Sequence, residues 1–136
     1  RIMEKYKTNK QISFLHRGLF GREWQEAIAG VDALVMPYSA SRYLYHWAGM
    51  LFTAMGYLKP VVATTEINPE ILEHYNIGVS FEKDNKDSLK QAMETFVNNY
   101  SEEVNVYEKE LIRANDDYSP QKFAKQLIEL AVPRKK

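Results

Sequence analysis

Strand-like segments alternating with helices predict an α/β domain, a Rossmann-like three-layer αβα arrangement built on a parallel sheet. Three observations carry that prediction. "ALVMP", Ala33 to Pro37, is a continuous apolar run of the kind found in strands covered on both faces. A second such run, Pro60 to Thr64, directly follows an apolar helical stretch, Gly49 to Leu58. Helical segments separate the strand candidates throughout, which is the spacing of βαβ units with right-handed crossovers.

In chain order, residues 2 to 8 read as the end of a helix, and "QISFLH", Gln11 to His16, as a short strand closed by the turn signals Gly18 and Gly21. "REWQEAIAGVD" follows, with Trp24, Ala27 and Ile28 at helical spacing and an end at Gly30. After the Ala33 to Pro37 strand comes the polar and aromatic loop "YSASRYLYHW". The helix Gly49 to Leu58 and the strand Pro60 to Thr64 come next. "NPEILEHY" is a short helix with Asn68 as N-cap and Pro69 at the first position. "GVSF" is a fourth strand. "DNKDSLKQAMETFVNNY" is a helix entered by capping and acidic residues, with Leu89, Ala92, Met93, Phe96 and Val97 on one face. Helical stretches over roughly 102 to 115 and 120 to 131 close the chain, the last with Ser119 as N-cap and Pro120 at N1.

The 136 residues, 45% of them hydrophobic, suffice for one domain with a core and predict a single unit over residues 1 to 136. Eighteen basic residues balance eighteen acidic ones, so no overall field selects nucleic acid or an anionic membrane. Only Arg134-Lys135-Lys136 forms a basic cluster. The chain has no cysteine and three scattered histidines, so it offers neither a disulfide framework nor a thiolate metal site. No apolar run approaches the roughly 18 residues a membrane span needs. Because the chain starts at Arg1 inside a helix-like stretch, it reads as a fragment of a larger protein.

Ligands of open α/β sheets bind outside the carboxyl ends of the strands. That rule points to three loops, Arg17 to Arg22, Tyr38 to Trp47 and Thr65 to Asn68. The sharpest feature is the turn Trp47-Ala48-Gly49-Met50-Leu51. Small residues there open the amino end of a helix, where unpaired N–H groups and the positive dipole end suit an anion. The same residues would equally serve helix–sheet packing.

Taken together, "DALVMPYS", "AGMLFTAMGYLKPVVATTE", "NPEILEHYNIGVSF", "DSLKQAM" and "YSPQKFAKQL" occur in order between residues 12 and 130. This series resembles the carboxyl-terminal, nucleotide-sugar-binding domain of GT-B fold glycosyltransferases, particularly the retaining enzymes of glycosyltransferase family 4, with their "EAMAxGxPVVAT" pattern. The resemblance implies the donor half of a two-domain hexosyltransferase that transfers sugar from a nucleotide diphosphate to a polysaccharide, glycolipid or similar acceptor. It also implies an amino-terminal acceptor domain, and upstream strands with a diphosphate-neutralising Arg and Lys, outside this chain. The substrate is a nucleotide sugar, and neither a further cofactor nor a protein-bound metal is expected. The implied location is cytoplasmic, free or, through the basic end, peripheral at the inner face of the cell membrane.

By the same resemblance the diphosphate would lie on Ala48, Gly49, Met50 and Leu51, with Arg42 and His46 in reach. The nucleobase and ribose would lie near Arg17, Gly18, Phe20 and Thr53, and Tyr38, Ser39, Tyr45 and Glu70 would line the cleft. The aromatics Tyr43, Tyr45 and Trp47 could stack on a sugar or base, or simply pack the loop. The family's two glutamates fall at Tyr45 and Thr53 here, so no catalytic side chain is assigned. A non-catalytic GT-B-like domain with an assembly or regulatory role is therefore the alternative. A receiver-type module would need an acidic cluster that the sequence lacks, and a dinucleotide-binding domain would need a G-x-G-x-x-G after a strand.

Overall fold

A computed structural model describes residues 2–131. It contains a three-stranded, fully parallel sheet with strand order β1-β2-β3, where β1 is Leu34–Met36, β2 Val61–Thr64 and β3 Gly78–Phe81. Register is set by pairs such as Leu34 with Val61 and Val62 with Val79. Helix α1 spans Ile2–Tyr6 and α2 Gly21–Ala29, the latter closed by Gly30. Helix α3, Gly49–Gly56, crosses over from β1 to β2, and α4, Pro69–His74, from β2 to β3. Helix α5 runs from Lys86 to Asp117 and α6 from Pro120 to Ala131.

Alternation along the strands divides the core in two. Met36, Val61 and Ala63 face Leu51, Ala54 and Met55 of α3, Ile71 of α4, and Leu111 and Ala114 near the end of α5. Val62 and Phe81 face Ala92, Phe96 and Tyr107 of α5. Helices thus cover both faces of the sheet, and α5 serves both. The Phe96 and Tyr107 rings stack with centroids 5.8 Å apart. Eleven positions of straight helix span about 16 Å, so α5 bends between them.

Gly78 allows the closest approach in the sheet. Its φ is +152°, and a Cβ there would lie 1.9 Å from the Val61 carbonyl oxygen. Only glycine meets both conditions.

Four expectations need correction. Gln11–His16 forms no strand: Gln11 belongs to a turn, 12–16 have no regular structure, and Ile12, Phe14 and Leu15 are exposed; a strand exists only where a neighbour accepts its ladder, and among the described residues β1 pairs only with β2. β1 is covered on one face alone, because Val35, on the face that α5 covers at β2 and β3, remains 45% exposed. The two helices expected over 86–100 and 102–115 are one, joined at the bend. Met93 and Val97 lie about 100° round the helix from Ala92 and Phe96, and both are exposed. The basic cluster at 134–136 falls outside the described residues.

Candidate functional site

Beyond the carboxyl end of β1 the chain is fastened by Thr64, the last residue of β2, and by Asn68 in the loop after it. Thr64, buried at the end of β2, donates its hydroxyl to the Tyr38 carbonyl at 2.8 Å. Tyr38 stacks on Tyr43 at 4.8 Å, and the Arg42 guanidinium lies 5.1 Å from the Tyr43 ring centre. Ser41–Leu44 forms a 3-10 turn. Burial, and then the neighbouring Tyr43, push the Tyr38 hydroxyl pKa upward.

Asn68 connects this loop to α3. Its backbone N–H donates to the Tyr43 carbonyl at 3.3 Å, and its side-chain Oδ1 accepts from the Ala48 N–H at 3.0 Å. The residue is 3% exposed and sits at φ +41°, a left-handed conformation that asparagine tolerates better than most. Asn68 is indeed the N-cap position of α4, as expected, but its side chain serves α3 instead.

At the head of α3, Leu51 donates to the Ala48 carbonyl at 2.8 Å. With Ala48 held by Asn68, the Gly49 and Met50 N–H groups precede any possible acceptor within the helix. The first turn carries no acidic residue, so the positive dipole end has no charge of its own to meet. Gly49 is exposed, and a Cβ placed on it would meet nothing within 4 Å. The result is a turn held by Asn68, with two N–H groups that have no acceptor within the helix and clear space where a Gly49 side chain would stand.

The other predicted positions spread more widely. Ser39, Arg42 and His46 are exposed on the same loop, and Tyr45 is 83% exposed. Thr53 is half-buried one turn into α3. Arg17 is paired with Glu23, and the Phe20 ring lies against Gly18. Helix α2 meets α3 at its far end, through Trp24 against Tyr57. Among the described residues no hydrogen bond joins Arg17, Gly18 or Phe20 to the Ala48 turn.

A second feature lies beside the turn and was missed in the sequence. Trp47 stacks on Phe52 at 4.5 Å and meets Tyr118 edge-on at 6.0 Å. Trp47 and Tyr118 border a groove of about 800 Å³ that is lined from α6 by Lys122, Phe123 and Gln126. At its floor the Tyr75 hydroxyl donates to Asp117 Oδ2 at 2.8 Å, and Lys122 Nζ donates to Asp117 Oδ1 at 2.6 Å. Lys122 also pairs with Asp116. Burial, followed by the Asp117 bond, raises the Tyr75 pKa to about 12, whereas Lys122 and then Tyr75 hold Asp117 below the usual carboxylate range. The Tyr118 hydroxyl is pushed up by burial first and then by the charges of Glu70, exposed in the first turn of α4, and Asp117. Of the residues that line it, the sequence had singled out Trp47, as a ring that could stack on a sugar or base or pack the loop.

No family model, curated protein or solved structure gives a significant match to the chain. What the fold defines is an α/β domain with an open parallel sheet, compatible with a Rossmann-like arrangement. Among the described residues no helix is long and apolar enough to cross a membrane.

Proposed function

We propose that the chain is the donor-binding half of a GT-B fold glycosyltransferase, holding the diphosphate of a nucleotide sugar at the head of α3. The observation that carries this reading is the turn itself. Two helix-end N–H groups have no acceptor within α3, on a turn anchored by Asn68 and left uncrowded at Gly49. Positively polarised amides there would stabilise the charge that develops as the diphosphate departs. Arg42, exposed on the preceding loop, is near enough in sequence to add a bidentate contact. The unpaired edge of β1 is where further strands of a GT-B donor domain would add, and the acceptor domain would close over the same end. The resemblance supplies the sugar chemistry and the membrane-face location.

Tyr45 and Thr53 favour a second reading, a non-catalytic GT-B-like domain, because neither supplies a carboxylate. Binding separates the two from an unrelated fold, and transfer activity of the full-length protein separates them from each other.

The test is a calorimetric titration of UDP, GDP and ADP into the chain and into Gly49→Asp. The new carboxylate would enter open space at a helix amino end, so it should leave stability unchanged or raise it by about 0.3–1 kcal/mol. It should also lower affinity for the preferred nucleotide at least tenfold. Equal nucleotide affinity in both proteins would remove the turn from the site.

A further inference from the structure

Charge and shape in the groove along α6 point to a ligand other than the diphosphate. Trp47 is 70% exposed although one of its faces is covered by Phe52 and one edge by Tyr118. Its remaining face is a flat apolar surface held in one orientation. Asp117, fixed by Tyr75 and Lys122, and the exposed Gln126 supply polar groups around that surface.

The charges select among occupants. Asp116 and Asp117 stand against Lys122, which is already committed to both. Arg113 lies over the Tyr75 ring and is bound to Glu110 and to the His74 carbonyl. A phosphorylated or carboxylate ligand would meet net negative charge. A purely apolar occupant would strip water from the Asp117 and Lys122 pair without replacing its hydrogen bonds. A neutral ring with an apolar face and a rim of hydroxyls satisfies both parts of the surface, and the cavity falls within the size range of small-molecule sites.

We infer that this groove is a binding site for a neutral saccharide, stacked on Trp47 and hydrogen-bonded by Asp117 and Gln126. It is distinct from the diphosphate turn and does not depend on nucleotide binding there.

The test uses the 136-residue chain with Trp24→Phe, leaving Trp47 as its single tryptophan. Cellobiose, maltotriose and methyl glucoside are titrated without nucleotide while tryptophan fluorescence and ¹⁵N amide shifts are followed. Expected is a saturable fluorescence change in the millimolar range, with shifts at Lys122, Phe123 and Gln126. In Trp47→Ala with Trp24 intact, the amide shifts should need at least tenfold more saccharide, while the far-UV circular dichroism spectrum and the amide pattern away from the groove show the fold retained. No saturable response to any of the three, or shifts of equal affinity in Trp47→Ala, would overturn the assignment. So would groove shifts that follow protein concentration alone, which would give this surface to a second copy of the chain. Because the probes carry no phosphate, failure here leaves the nucleotide titration untouched, and the converse holds.

Discussion

Replacing Asn68 tests how the turn before α3 is held. Asn68→Ala removes the acceptor of the Ala48 N–H, a group on a residue that is 1% exposed, and leaves a buried donor unsatisfied. Such a loss costs about 1–3 kcal/mol. Alanine must also occupy the left-handed region at φ +41°, which costs about 1–2 kcal/mol more. The sum is a destabilisation of about 2–5 kcal/mol. Asn68→Gly loses the same bond but bears no left-handed strain, so it should fall short of the alanine variant by about 1–2 kcal/mol. Urea unfolding followed by far-UV circular dichroism measures both. With a slope near 2 kcal/mol per molar, the alanine midpoint falls by about 1–2.5 M and the glycine midpoint by roughly half of that. An alanine variant within about 0.5 kcal/mol of wild type would show that the bond contributes nothing, since that is the range of an indifferent surface change. Equal midpoints for alanine and glycine would show that residue 68 carries no conformational strain.

Three further outcomes follow from the packing. Gly78→Ala should cost more than about 3 kcal/mol in the same urea assay, because its Cβ would overlap the Val61 carbonyl and its φ is +152°; a variant of wild-type stability would contradict the β2–β3 register. Leu111→Ala, at 0% exposure, should cost about 2–5 kcal/mol, whereas Ile112→Ala, at 51%, should stay within about 0.5 kcal/mol, and a reversed order would rotate the α5 face. Tyr75 has a folded pKa of about 12 against an ordinary 10.0, so its stabilising contribution is complete below pH 10 and is lost as pH rises toward 12. Tyr75→Phe should therefore lose less stability than wild type between those pH values, and parallel stability curves would refute the shift.

Local chemistry made much of this fold legible. Asn68-Pro69 and Ser119-Pro120 announce helix starts, Gly30 a helix end, and β2, buried at all four positions, reads as the unbroken apolar run it is. What failed depended on distant partners. Gln11–His16 has strand composition but no edge to join, and the segment around Tyr100 looked like a break because a bend and a stop share the same local signals. The turn at Ala48 and Gly49 was readable from small residues before an apolar helix. Its fastening was not, since the Asn68 side chain reaches back 20 positions instead of capping its own helix. The groove was the least legible part. Trp47 and Tyr75 come to it from separate crossovers, and Asp117 joins Tyr75 from 42 positions away.

The bent helix α5 has a consequence for how the chain is made. Synthesis proceeds from the amino end, so all three strands leave the ribosome before Leu111 and Ala114 exist to cover Val61 and Ala63. Until the second arm of α5 emerges, the sheet has only part of one roof. A nascent chain stalled near residue 100 should therefore be captured by hydrophobic-binding chaperones, and one extended past residue 117, with its last turns clear of the exit tunnel, should be released.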